Sequence, residues 1–293
     1  MRRSLYILLL LLATVLLVLL LRACAVTSYL IPSTGMENTL RRGERILVNK
    51  WSYGLRLPGI SWWGYRRWGE RAVKRGDVVV FNNPANRQEQ TISRRETFIG
   101  RCIGLPGDTL WVDSLFEVRR LPWQGPDAKL LYHYPRRQAV QLDTLMRQLS
   151  IVSADSPWQL DSLHLLRSFS RYEYYLLQQA LTDSCWLQPW EPCSTEKLYP
   201  LVVPRRGQSV EVQPWNCALL CQALALHEHR PATLRGDTLL LDGKPVSHCR
   251  FSKDYHWVVA DNAANPTDSR LFGLVPKDHL IGRAFRLGQT HPF

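Results

Sequence analysis

A mainly β fold, tethered by one N-terminal helix and interrupted by a partly helical insertion, is what this sequence predicts. Three observations carry that reading. Residues 5–21 form an apolar run without a charge. Short β-rich runs punctuated by Gly and Pro fill residues 25–113 and 201–293. Between them, residues 114–200 change to helix-compatible apolar spacing. At 293 residues the chain is long enough to bury a sizeable core.

Residues 1–24 are read as a cytoplasmic start and a membrane anchor. Met1-Arg2-Arg3 precedes the run Leu5–Leu21, and about 17 apolar residues is the lower limit for a helix crossing a ~30 Å hydrocarbon core. A cleaved secretory signal and a lipoprotein box at Leu21-Arg22-Ala23-Cys24 are the competing readings. Arg22 sits awkwardly in such a box, so an uncleaved span is favoured. Arg2 and Arg3 place the N-terminus in the cytoplasm by the positive-inside rule, although Arg22 weakens the asymmetry. The expected location is therefore the cytoplasmic (inner) membrane, single-pass, with the C-terminal body on the periplasmic side.

The formal charge is +12, from 37 Lys+Arg against 25 Asp+Glu. A free basic protein of this kind invites a nucleic-acid reading. A tethered, tryptophan-rich body instead leans on the anionic head groups of membrane lipids, so no nucleic acid is expected. The seven cysteines are an odd number, so at least one stays unpaired within the chain. Cys185–Cys193 and Cys217–Cys221 are close enough to consider as bridges, which spacing alone does not establish. Cys217, Cys221, His227 and His229 lack the paired spacing of a zinc site, and no metal or other cofactor is expected.

From Tyr29 to Gly59 the chain reads strand, turn, strand, with Arg41-Arg42-Gly43-Glu44 as the turn and Arg45–Lys50 as the second strand. Trp51, Trp62, Trp63, Tyr65 and Trp68 then crowd one loop, interleaved with Arg56, Arg66, Arg67 and Arg71. Aromatic rings with basic neighbours suit a membrane–water interface better than a plain core. Val78–Phe81 reads as a buried strand, and Thr97–Ile103 as another closed by Gly104-Leu105-Pro106-Gly107-Asp108. Pro followed by Gly at the centre of that turn fits type II geometry. A further strand begins at Trp111.

In residues 114–200, the stretches Leu142–Leu149, Leu160–Leu166 and Tyr172–Leu181 read as helical pieces. Val202–Val212 resumes a strand pattern, and Trp215–His229 reads as a helix. A hairpin turns at Asp242-Gly243, Tyr255–Val259 is a strand, and residues 271–293 close the domain.

Four blocks in this order resemble the bacterial type I signal peptidase (leader peptidase) family. They are Ile31–Leu40, Arg75–Phe81, Arg101–Asp108, and Asp261–Arg270 continuing through Gly273-Leu274-Val275-Pro276. The resemblance implies a signal-peptidase-like antiparallel β fold in which an extended substrate adds as a strand. It also implies a serine nucleophile and a lysine general base. The nucleophile segment of the family runs Pro-Ser-x-Ser-Met-x-x-Thr-Leu; here Pro32-Ser33-Thr34-Gly35-Met36 places Gly35 at the attacking serine. The family lysine precedes the arginine of Lys-Arg-x-x-Gly-x-Pro-Gly-Asp, and here Gly100 precedes Arg101. Arg101 cannot serve as the base, because a guanidinium keeps its proton in proteins.

The last block departs as well. The family reads Gly-Asp-Asn-Arg-Asp-Asn-Ser-x-Asp-Ser-Arg, whereas this chain has Ala260-Asp261-Asn262-Ala263-Ala264-Asn265-Pro266-Thr267-Asp268-Ser269-Arg270. Pro266 replaces the serine that helps orient the lysine, and Ala260 is expected to crowd a lysine stem. By resemblance Ser33 assists an oxyanion hole, Ser33, Met36 and Thr39 line a substrate groove, and Asp268–Arg270 braces the fold. Read as a strand, the segment puts Ser33 on the face of position 35 and turns Thr34 away. Glycine at both chemical positions favours an open groove. The resulting expectation is a pseudoenzyme: a membrane-anchored, non-catalytic companion binding signal peptides of exported preproteins, an active signal peptidase or secretion machinery. The alternatives are an active peptidase with displaced residues, and an assembly protein using the 114–200 insertion.

Overall fold

A computed structural model describes residues 6–7, 9–16, 18, 26–56, 67–119, 127–153, 155–181, 186–190, 197–265 and 267–285. Its backbone is a seven-stranded sheet, ordered Val26–Leu30, Arg45–Asn49, Leu280–Phe285, Val78–Asn82, Thr97–Gly104, Tyr255–Val259, Val275–Pro276. Every neighbouring pair in it is antiparallel. The fold is mainly β, as the alternation of short β-rich runs and turn residues predicts.

The central strand Val78–Asn82 is buried throughout. Strand side chains alternate between faces, and here the two faces feed two cores. Val78 and Val80 pack with Ile31, Met36, Leu40 and Ile46. Val79 and Phe81 pack with Cys102, Val258 and Phe272 on the other side. One continuous apolar run thus joins the segment 31–40 to the strand 255–259.

A second lobe surrounds the helix Cys217–His227, which is apolar on nearly every side and packs against the strands Thr109–Val112, Tyr199–Val202 and Thr238–Leu241. The strand expected across Val202–Val212 is two strands, Tyr199–Val202 and Ser209–Glu211, because Pro204 and a turn at Arg205–Gln208 interrupt it. The hairpin at Asp242-Gly243 has φ 51° and 76°, the left-handed pair that matches strand twist in a two-residue turn. Gly107 takes φ 96° after Pro106, the conformation a type II turn requires.

The third unit is a four-stranded sheet, ordered Gln188–Pro189, Lys129–Pro135, His164–Ser170, Trp158–Gln159, carrying helices Ala139–Gln148 and Arg171–Ala180. It has its own core of Tyr132, Tyr134, Leu142, Phe169 and Leu177. Ser170 and Glu173 form a reciprocal capping box that starts the second helix. The helical reading of Leu160–Leu166 is overturned. Asp161 accepts from the amides of Leu163 and His164, a local turn that competes with helix, and the chain leaves it as a strand.

Residues 6–7, 9–16 and 18 are helical, and the rest of the expected span lies outside the described residues. Among the described residues no helix is long and apolar enough to cross a membrane. Trp51 and Trp68 are exposed, as an interfacial lip requires, while Trp62, Trp63, Tyr65 and Arg66 lie outside the described residues. Cys217 and Cys221 are free thiols, one helical turn apart but unbridged. Cys24, Cys185 and Cys193 lie outside the described residues.

Two buried histidines make this fold sensitive to acid. His256 and His227 each keep a buried Nδ1 without a hydrogen-bond partner among the described residues. Burial pushes His256 down to about 4 and His227 well below its ordinary value. The unfolded chain therefore binds more protons than the native state between pH 6.5 and about 4. Stability is present above that window and falls as pH drops through it, by up to ~1.4 kcal/mol per pH unit for each histidine. Denaturant unfolding of His256→Asn across pH 4–7 should show a shallower slope than the unsubstituted chain; equal slopes would remove His256 as a cause.

Candidate functional site

The segment 31–40 is not a continuation of the strand Val26–Leu30. It coils into turns, with the Glu37 amide donating to the Thr34 carbonyl (3.0 Å) and the Leu40 amide to the Met36 carbonyl (2.6 Å). This corrects the expected facing of its hydroxyls. Thr34 does not turn away: its Oγ1 accepts from Asn265 Nδ2 (3.0 Å) and donates to Asp155 Oδ1 (2.6 Å). Ser33 Oγ lies 3.8 Å from where a Cβ on Gly35 would stand. Met36, expected to line a groove, is only 1% exposed and packs into the core beneath the segment.

Arg101 and Asp261 lock this segment to the sheet. Both side chains are 3% exposed, and the guanidinium grips both carboxylate oxygens, with Nε donating at 2.7 Å. Thr39 Oγ1 donates to the same carboxylate (2.6 Å), and Arg101 also reaches the Gly76 carbonyl (2.8 Å). One ion pair therefore ties all four sequence blocks together, through Thr39, Gly76, Arg101 and Asp261. Thr39 is part of this lock rather than a groove wall. The Asn262 amide completes it by donating to the Gly35 carbonyl (2.9 Å).

Asp268, Ser269 and Arg270 brace the strand end from behind. Asp268 caps the short helix Ser269–Phe272, pairs with Arg270 (2.7 Å), and accepts from the Ala260 amide (2.8 Å). Ser269 Oγ accepts from the Val258 amide (2.9 Å). Pro266 lies outside the described residues.

Gly35 and Gly100 both abut the run Val258–Ala260. A Cβ on Gly35 would meet the Asn265 carbonyl at 3.4 Å and Ala260 Cβ at 3.8 Å, ordinary contacts that leave room for a small side chain. A Cβ on Gly100 would stand 2.6 Å from Val258 Cγ1 and 3.1 Å from the Val259 carbonyl. That is closer than carbon atoms tolerate, so the space at Gly100 is already filled. The expectation of an open groove at both glycines fails at Gly100. Ala260, expected to crowd a side chain there, instead neighbours Gly35.

Two participants were invisible in the sequence. Lys129 is 1% exposed, and its ammonium donates to Glu37 (3.0 Å) inside the segment 31–40. Its backbone bonds the Asp261 carbonyl and the Ala263 amide. Asp155 accepts from Thr34 and from Asn262 Nδ2. Both residues come from the third unit, which therefore reaches directly onto the site. Their partners lie 92 to 121 residues away in the chain, and no local pattern marks such pairs.

The signal peptidase, peptidase S26, family matches residues 4–145 and 220–287. The chain belongs to that family. The match leaves out 146–219, which carries Asp155 and most of the third unit. A signal peptidase I of Helicobacter pylori strain J99 is 33% identical over 283 residues, covering 92% of this chain and 77% of that protein. The Pseudomonas aeruginosa signal peptidase I is 39% identical over 163 residues, covering 50% of this chain and 52% of its own length. The chain thus spans about half of that relative. A Buchnera aphidicola relative of the same name is 23% identical over 94% of this chain.

Two outcomes follow for this family member. Asp261→Ala leaves the buried Arg101 charge without its carboxylate, which should lower stability by ~3–5 kcal/mol in denaturant unfolding; a loss below ~1 kcal/mol would show that the ion pair holds nothing. Gly35→Ala should be neutral or stabilising by up to ~1 kcal/mol, whereas Gly100→Ala should destabilise by ~1–3 kcal/mol through overpacking. Adding Val258→Ala should recover part of the second loss. Additive losses would mean that Val258 does not fill the site.

Proposed function

We propose that this chain is a membrane-anchored, non-catalytic member of its family that holds an extended peptide of the signal-peptide type without cutting it. The observation that carries the reading is the filled space at Gly100. A general base needs room for a stem and an amine, and Val258 occupies the point where the stem would begin. At Gly35 the nucleophile is missing while space for it remains. Displaced groups do not fill the gap. The Lys129 ammonium is engaged by Glu37, and the Thr34 hydroxyl is spent on Asp155.

Peptide binding draws support from the strand Thr97–Gly104. Its partner Tyr255–Val259 pairs with it at residues 101–104, and among the described residues the edge at Thr97–Gly100 has no strand on that side. A row of strand backbone groups without a ladder is a template for an added strand. Its far end is Gly100 itself, beside the segment 31–40. The single N-terminal span and a body outside the cytoplasm belong to the same reading, with the apolar run Leu5–Leu21 as anchor. An active signal peptidase or secretion machinery is the partner class such a companion would serve.

Purified full-length chain in detergent, titrated with a peptide spanning a preprotein cleavage region, should bind it and leave it intact by mass spectrometry. N-methylation of alternate peptide amides should weaken binding by roughly tenfold or more, because it removes ladder donors worth ~1 kcal/mol each. Cleavage by the unsubstituted chain would end the non-catalytic reading. Gly35→Ser with Gly100→Lys should stay inactive, and adding Val258→Ala should raise activity above that double variant. Binding lost on deleting the third unit but untouched by N-methylation would favour the assembly reading.

A further inference from the structure

A cavity of about 310 Å³ opens at the end of the seven-stranded sheet, lined among others by Asn49, Trp51, Arg71, Lys74, Asp77 and Arg283. Its electrostatics are one-sided. Asp77, the one carboxylate in its lining among the described residues, is fully committed. It accepts from Tyr53 OH (3.0 Å) and the Lys74 amide (3.0 Å), and it pairs with Arg283 (3.1 Å). Arg283 is thereby neutralised. Arg71 and Lys74 are exposed, and neither side chain makes a hydrogen bond or ion pair among the described residues. Two unspent cations therefore face one cavity.

The cavity also has an amphipathic rim. Trp51 is 45% exposed beside it, and an indole at such a place combines an apolar body with a polar edge. Trp68, likewise exposed, sits on the two-residue hairpin Leu55–Arg56 with Arg67–Trp68. Arg67 of that hairpin donates to the carbonyls of Gly54 and Leu280, which holds the hairpin on the same flank as Tyr53.

Strand register supplies the location. Asn49, in the cavity wall, pairs with Val26, the first described residue after the apolar N-terminal run. The cavity therefore lies at the end of the sheet where the chain arrives from that run. If the run is the anchor, this end of the sheet meets the bilayer first.

We propose that this cavity binds the phosphate head group of an anionic phospholipid, with Arg71 and Lys74 on the phosphate and Trp51 at the boundary between head group and acyl chain. The inference rests on the anchored reading given above. A cation near a membrane surface contributes through attraction to anionic lipid, and two cations converging on one cavity select charge where an anchor alone selects only apolarity. The polar wall of Asn49 and Ser52 accommodates the glycerol-level oxygens of such a lipid. A docked head group also fixes the rotation of the body about its tether. It orients the edge Thr97–Gly100 relative to the membrane from which a signal-type peptide would arrive.

The test uses the full chain in neutral detergent, with native mass spectrometry counting lipid adducts. The probes are phosphatidylglycerol, phosphatidylcholine and inorganic phosphate. Phosphatidylglycerol occupancy should exceed that of phosphatidylcholine, and Arg71→Ala with Lys74→Ala should reduce it by roughly tenfold or more. Lys74→Arg should retain it, since the charge stays. Equal occupancy by the two lipids, or no change in the double variant, would overturn the site. Inorganic phosphate abolishing the lipid preference at low millimolar concentration would overturn the lipid as occupant in favour of a free anion. A separate arm tests the anchor: the full chain should float with phosphatidylcholine vesicles after alkaline carbonate extraction. Failure there removes the anchored reading, while adduct selectivity reports on the pocket alone. Both substituted side chains are exposed, and near-ultraviolet circular dichroism of the variant should match that of the unsubstituted chain.

Discussion

The pairing of Arg101 with Asp261 is the constraint on which the rest of the site depends. Two charges taken out of water are costly unless each finds a full set of partners. Here the guanidinium spans both carboxylate oxygens and the Gly76 carbonyl, and Thr39 adds a hydroxyl to the same carboxylate. Those demands leave little freedom in where the segment 31–40 can sit. It must bring Thr39 to Asp261, and in doing so it lays the Gly35 carbonyl against the Asn262 amide. The position of Gly35 is thus a consequence of how a buried charge is satisfied.

This explains which parts of the family motifs persist here. Arg101, Asp261, Asn262, Asp268, Ser269 and Arg270 each hold backbone or a buried charge in place. Losing any of them would leave a buried polar group unpartnered. On the proposed reading, Gly35 and Gly100 stand where the resemblance expects a serine and a lysine, side chains that would serve chemistry rather than folding. Their absence leaves the hydrogen-bonded frame complete. At Gly100, Val258 packs where any side chain would have to start.

The third unit adds a contact that the shared blocks do not require. Lys129 enters beside Asp261 by backbone bonds and ends in the buried pair with Glu37, while Asp155 closes over Thr34 and Asn262. Both contacts fall on the segment that carries Gly35. The unit has its own core and is joined to the site mainly through polar groups. Any rearrangement at Asp155 would therefore be felt first at Thr34 and Asn262.

By itself the sequence determined whatever depends on neighbours along the chain. The runs at Val78–Asn82, Thr97–Gly104 and Tyr255–Val259, the turns at Gly107 and Asp242-Gly243, and the helices after Gln138 and Ser170 all follow from local spacing and from residues suited to particular backbone angles. The ordered blocks named the family. Where local signals conflicted, the reading failed: Leu160–Leu166 has helical spacing, but Asp161 binds the amides that a helix would use. Only the tertiary structure decided the coiling of residues 31–40, the burial of Met36, the ion pair of Lys129 with Glu37, the reach of Asp155, and the valine packed against Gly100. Each of these is a contact between side chains far apart in the chain. Its energy depends on shape and desolvation at a point in space, which residue order alone does not encode.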